Sequence, residues 1–138
     1  MPCASRSKAT VLVVEDDAIP RELLTQLLLA AGFDVIAAST GEKALLTLCH
    51  WGEEIDWLVS KTRLPGLVCG WILADEYREH HPDRPVLLIS PTPDPATLSS
   101  EQVVLVPQAA PIRVLEVLQA LKNPEPVCVL PFPGSRAA

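Results

Sequence analysis

Val11-Leu12-Val13-Val14-Glu15-Asp16-Asp17 is a run of four apolar residues closed abruptly by three carboxylates. An apolar run without alternation reads as a strand buried on both faces, as in a parallel sheet covered by helices. Pro20 stands where a first helical turn is expected, with Asp17 or Ala18 near the cap. Leu23, Leu24, Leu27, Leu28 and Ala31 then recur at helical spacing, and Gly32 stops the helix.

The same unit repeats outward from there. Asp34 to Ala38 reads as a second strand, and Ser39 and Thr40 are candidate caps for a helix carrying Ala44, Leu45, Leu48 and Cys49. Asp56 to Ser60 reads as a third strand, with Lys61 at its end. The loop KTRLPGLVCG leads into a helix from about Trp71 to His80. Pro85 to Ile89 and Val103 to Val106 read as strands four and five. Val114, Leu115, Val117, Leu118 and Leu121 form the apolar stripe of a last helix begun at Pro111.

Alternating strands and helices, with the strands apolar throughout, predict an α/β domain: a doubly wound, five-stranded parallel sheet of flavodoxin-like type, order 2-1-3-4-5, covered on both faces. In such a sheet the site lies outside the carboxyl ends of the strands, at the switch point. Strands one and three are neighbours there, so Glu15 and Asp16 meet Lys61.

The composition agrees with this class. The chain has 138 residues, 49% of them hydrophobic, which is enough for one domain with a real core and too apolar for a disordered chain. Acidic residues outnumber basic ones 17 to 11, and a net charge of -6 disfavours nucleic-acid binding. Cys3, Cys49, Cys69 and Cys128 show no CxxC spacing, so neither a zinc site nor a disulfide framework is expected. The start MPCASRSK has no apolar leader, and no run approaches a membrane span, so a cytoplasmic protein is expected.

Proline marks where the pattern breaks. Of the 14 prolines only Pro2 and Pro20 precede Pro65. Pro91, Pro93 and Pro95 deny most of the stretch between strands four and five a helix, because each lacks an N–H and restrains its predecessor. The helix expected there is therefore reduced or missing. The organisation reads as a flexible lead (1–9), a domain (10–122) and a Pro-rich tail (123–138).

VLVVEDD, the leucine helix ending in AAGF, DWLVSKTRLPG and PVLLIS together resemble a receiver domain of bacterial two-component response regulators. The resemblance covers about residues 10–122. It implies phosphoryl transfer from a sensor histidine kinase to an aspartate at the end of strand three. It also implies Mg²⁺ on an acidic pair after strand one, with a hydroxyl after strand four and a lysine after strand five on the phosphoryl oxygens. Matched residue by residue, Glu15 and Asp16 take the acidic pair and Ser90 the hydroxyl position. Lys61 stands where the phosphoacceptor aspartate should be, and Pro107 where the lysine should be, with Gln108 after it. Val104 takes the place of a switching aromatic, and Cys69 that of the aspartate ahead of the loop glycine.

An ammonium cannot form an acyl phosphate, and it is a cation set in a cation site. Two like unit charges at ~4 Å repel by about 4 kcal/mol at an effective dielectric near 20, and Mg²⁺ carries two charges. Lys61 is thus expected to lie against Glu15 and Asp16, to exclude Mg²⁺, and to leave a receiver that is not phosphorylated. Arg63 competes for the same acids, but Lys61 holds the strand end. Ser90 without a phosphoryl group reads as a plain strand-end residue, and Cys49 and Cys69 as packing or incidental residues rather than redox sensors. No catalytic residue and no metal ligand set is expected.

The function implied is a protein-interaction module that is not an enzyme. Its partners would be a histidine kinase, a phosphotransfer protein or another regulator, with a homodimer as a further candidate. No output domain is expected in residues 123–138. Leu115 and Leu118 of the last helix, with Trp71, are the candidate interaction surface. Two alternatives stand beside it. One is a receiver phosphorylated at Asp16 or Asp17; the other is a phosphohydrolase using the strand-one acids, whose D-x-D pattern Glu15-Asp16-Asp17 matches poorly.

Overall fold

The structure is a computed structural model, and it describes residues 8–90, 103–107 and 111–122. The strands are β1 (Thr10–Val14), β2 (Asp34–Ala38), β3 (Trp57–Lys61), β4 (Val86–Ser90) and β5 (Val103–Pro107). They form one sheet in the order β2-β1-β3-β4-β5, with every pairing parallel. The helices are α1 (Ala18–Ala30), α2 (Gly41–Trp51), α3 (Gly70–His80) and α4 (Pro111–Lys122), with a 3-10 turn at Gly52–Glu54. Residues 91–102, where a reduced helix is expected, the lead 1–7 and the tail 123–138 lie outside the described residues.

Two cores follow from strand alternation. Leu12, Val14, Leu58 and Leu88 face α2 and α3, together with Leu48, Leu73 and Tyr77. Val11, Val13, Val59 and Leu87 face the other way, with Leu24 and Leu28 of α1 and Val114 and Leu118 of α4. Val11 to Val14 are all fully buried, as a central strand between two helical layers requires. The helix starts are fixed by the caps read in the sequence. Asp17 accepts from the Ile19 amide at 3.2 Å, and Thr40 accepts from the Lys43 amide at 3.1 Å. Past α1, Gly32 takes the left-handed conformation at φ 96°.

Two expectations are corrected. β2 is not covered on both faces: Asp34, Ile36 and Ala37 are exposed, because β2 is the edge strand. Leu118 is fully buried and belongs to the core, four residues after Val114 on the same helical face. It therefore forms no surface, while Leu115 is half-buried beside it and Ile112 is exposed. Trp71, named for the interaction surface, is exposed, as is Trp51, while Trp57 is half-buried under the Arg84 guanidinium.

Candidate functional site

The register places the site. Val14 of β1 pairs with Ser60 of β3, so Glu15 and Lys61 leave adjacent strands side by side. Glu15 is still tied to the sheet, its amide donating to the Ala38 carbonyl at 3.1 Å. Its side chain is 2% exposed, and Oε2 accepts from the Asp17 amide at 3.1 Å. Asp16 is farther out, and Asp17 is committed to capping α1.

Lys61 joins these acids. Its Nζ donates to Asp16 Oδ1 at 2.9 Å and lies 3.5 Å from Glu15 Oε2. The Lys61 side chain is 16% exposed, so the pair is only partly shielded from water. Burial opposes the ammonium, but Asp16 and Glu15 outweigh that cost and hold the Lys61 pKa above its ordinary value. The hydrogen bond from Lys61 holds Asp16 below the usual carboxylate range. Glu15 goes the other way: burial raises its pKa despite the Asp17 amide and Lys61. The two carboxylates thus differ because burial dominates at Glu15 and the Lys61 hydrogen bond dominates at Asp16.

The surrounding backbone is held closely. Arg21, one turn into α1, donates through Nη1 to the Glu15 carbonyl at 2.9 Å. After Lys61, the Thr62 amide donates to the Ile89 carbonyl at 2.9 Å and the Gly70 amide to the Thr62 carbonyl at 3.1 Å. A Cβ on Gly70 would collide with the Lys61 carbonyl, so α3 starts against the strand end only because residue 70 is glycine. Gly66 has φ 92°, and the next amide, Leu67, donates to Glu42 Oε2 at 2.8 Å. The loop from β3 to α3 is therefore bolted to the first turn of α2. Neither Arg21 nor Glu42 stands out in the sequence, since both read as ordinary helix-surface charges.

Ser90 closes β4 at the same edge, one step beyond the Lys61–Ile89 pairing, and pairs with Pro107 of β5. Arg63 is exposed, and it is Lys61 that reaches the acids. Cys69 precedes α3 as its cap residue without a side-chain hydrogen bond, and Cys49 is exposed on α2. Trp71 is exposed on the first turn of α3. Leu115 and Trp71 lie on different layers of the domain and do not share a face. Among the described residues, no group of three His, Cys, Asp or Glu side chains converges as a metal site would require, and no helix is long and apolar enough to cross a membrane.

Known proteins share this fold. The family model of the response regulator receiver domain matches residues 11–101. The response regulator protein FleR of Pseudomonas aeruginosa is 37% identical over 82 residues, 59% of this chain and 17% of FleR. A cyclic di-GMP phosphodiesterase of Thermotoga maritima is 45% identical over 58 residues, 42% of this chain and 15% of that protein. The chain thus spans less than a quarter of the length of these curated relatives. A response regulator receiver protein of Sinorhizobium medicae superposes with a TM-score of 0.77 at 28% identity, covering 86% of this chain and 98% of that one.

Proposed function

The chain belongs to the response regulator receiver family, and from that premise we propose that it is a receiver whose phosphorylation pocket is closed by Lys61. It acts in two-component signalling as a protein-interaction module rather than as an enzyme or a phosphoryl acceptor. The observation that carries this reading is the Lys61 ammonium, 2.9 Å from Asp16 and 3.5 Å from Glu15, at the strand end that carries the acceptor aspartate in the family.

Two consequences support it. The acids needed for Mg²⁺ are engaged by a cation, and a dication brought to within ~4 Å of that cation meets a repulsion of about 8 kcal/mol at an effective dielectric near 20. Mg²⁺ also demands near-octahedral oxygen ligands at short range, which one half-buried pair shared with an ammonium does not supply. The residues present therefore fit Mg²⁺ poorly. Phosphorylation at Asp16 or Asp17 is disfavoured because Lys61 holds the first and the α1 cap engages the second.

The partner is a protein of the same signalling class, such as a kinase, a phosphotransfer protein or another regulator. The test is a Mg²⁺ titration of the chain and of Lys61→Asp, followed by NMR at Glu15 and Asp16. No saturable response in the parent and a saturable one in Lys61→Asp is expected. Saturable sub-millimolar binding by the parent overturns the reading.

A further inference from the structure

β2 stands at the margin of the sheet and pairs with β1 alone among the described strands. In a parallel ladder the N–H and C=O of one residue point to one neighbour, and those of the next residue point the other way. The Asp34 amide donates to the Ala9 carbonyl, and the Ala38 carbonyl accepts from the Glu15 amide. Asp34, Ile36 and Ala38 therefore spend their backbone groups on β1, and Val35 and Ala37 turn theirs outward. Such an edge is a template for another strand unless something blunts it, and Lys, Pro and bulges are the usual means. β2 reads DVIAA, with neither Lys nor Pro. Its register with β1 runs from Thr10–Asp34 to Val14–Ala38 without a bulge.

The same edge carries exposed apolar side chains. Ile36 alternates with Val35, so it faces the α2 side with Ala38, yet α2 does not cover it. Trp51, the last residue of α2, is exposed as well. With the buried Ile55 these two line a groove of about 350 Å³ beside the edge.

We propose that a second copy of this chain docks on that edge. Its β2 runs antiparallel to the first about a two-fold axis at Ile36, and the two sheets join into one. The strand is complementary to itself in this register. Val35 of one copy stands opposite Ala37 of the other, and such a pair exchanges both of its N–H···O bonds. The axis repeats the pair, so the outward groups of Val35 and Ala37 are all used in both copies, in four bonds. Between them Ile36 faces Ile36 as a non-hydrogen-bonded pair, with Cα atoms ~4.5 Å apart, on the face that Trp51 borders. Each isoleucine then covers the other at the mouth of the groove. Charge permits the contact. Asp34 comes opposite Ala38, and the two Asp34 carboxylates stand four residues apart along the ladder, about 14 Å, beyond the Debye length of ~8 Å. A slip of one residue sets outward groups against backbone already spent on β1. A slip of two sets Ile36 against Asp34 or Ala38 instead of its like. Neither Lys61 nor the acids beside it take part in the contact.

The test is sedimentation equilibrium of the full chain over a range of concentrations, with amide hydrogen exchange on the same samples. A monomer–dimer equilibrium is expected. Where dimer prevails the Val35 and Ala37 amides exchange slowly, and on dilution to monomer they exchange as open edge amides. The Ile36 amide, bonded to β1, stays protected throughout. Ala37→Pro takes away two of the four bonds and leaves the ladder to β1 alone, so it raises the dimer Kd by about 10- to 100-fold. Ile36→Lys sets two like charges on the axis and leaves monomer only. A chain that is monomeric at every concentration overturns the proposal. So does a dimer in which Val35 and Ala37 exchange as fast as in the monomer, or one that Ile36→Lys leaves intact.

Discussion

Replacing Lys61 with Met removes the ammonium and keeps a side chain of similar length in the pocket. Unit charges at 2.9 and 3.5 Å attract by about 5–6 kcal/mol each at an effective dielectric near 20, before desolvation and screening. Both figures need discounting. Asp16 is 35% exposed, so its share falls toward the ~0.2–1 kcal/mol of surface pairs. Glu15 is 2% exposed and belongs with the buried charges whose orphaning costs about 3–5 kcal/mol. Glu15 keeps the Asp17 amide, however, and can take up a proton. The expected loss is therefore about 2–3 kcal/mol at neutral pH.

The pH dependence follows from Glu15. Its folded pKa already stands above 4.5 because of burial, and losing Lys61 raises it further. A carboxyl with a raised folded pKa is tolerated when protonated and costs stability as pH rises through that value. The deficit of Lys61→Met should thus shrink as pH is lowered from neutral toward the ordinary Glu value. Urea denaturation of both proteins at neutral pH and near pH 5 reads it directly. Stabilities equal within about 0.5 kcal/mol at neutral pH would show that the pair behaves as an exposed one. A deficit of constant size at both pH values would show that the charge on Glu15 is not its cause.

Two further outcomes are expected. Gly70→Ala should lower stability by about 1–3 kcal/mol in thermal or urea denaturation, because its Cβ meets the Lys61 carbonyl. Alanine is the better helix former by about 1 kcal/mol, so a gain in stability would refute the close approach. Tyr77 is the single tyrosine, is fully buried, and donates to the Asp56 carbonyl at 2.6 Å. Burial pushes its pKa well above the ordinary 10.0, so the folded phenol stays neutral while the unfolded one ionises. Stability should fall as pH rises past that ordinary value. Phenolate absorbance should then appear together with loss of helical circular dichroism, and phenolate forming ahead of unfolding would contradict the burial.

The sheet was legible because its apolar runs and caps agree with each other. Val11–Val14 could be only a central strand, and Asp17 and Thr40 cap the helices where their side-chain chemistry suggests. Boundaries slipped where side chains took over backbone work. The third strand starts at Trp57 rather than Asp56, whose carboxylate accepts from the Thr10 amide at 2.8 Å while its carbonyl takes Tyr77 and Arg84. The exposure of β2 was not legible, since DVIAA is apolar enough for a covered strand and only its place at the sheet edge leaves Ile36 open. Leu118 was misplaced because an apolar stripe does not say which of its members is innermost.

In the pocket, strand order made Lys61 a neighbour of Glu15 and Asp16, because parallel neighbours end together, and the resemblance, which puts Lys61 in the acceptor position, gave the pairing. Arg21 and Glu42 were invisible for the opposite reason. Each acts on backbone groups of a loop whose path the sequence does not declare.

The most direct measurement is the intact mass of the chain after incubation with Mg²⁺ and a small-molecule phosphodonor. A pocket closed by Lys61 leaves the mass unchanged, at any donor concentration that phosphorylates an ordinary receiver in parallel. A phosphoryl adduct on the chain, mapped to Asp16, Asp17 or any other acid of the pocket, would contradict it.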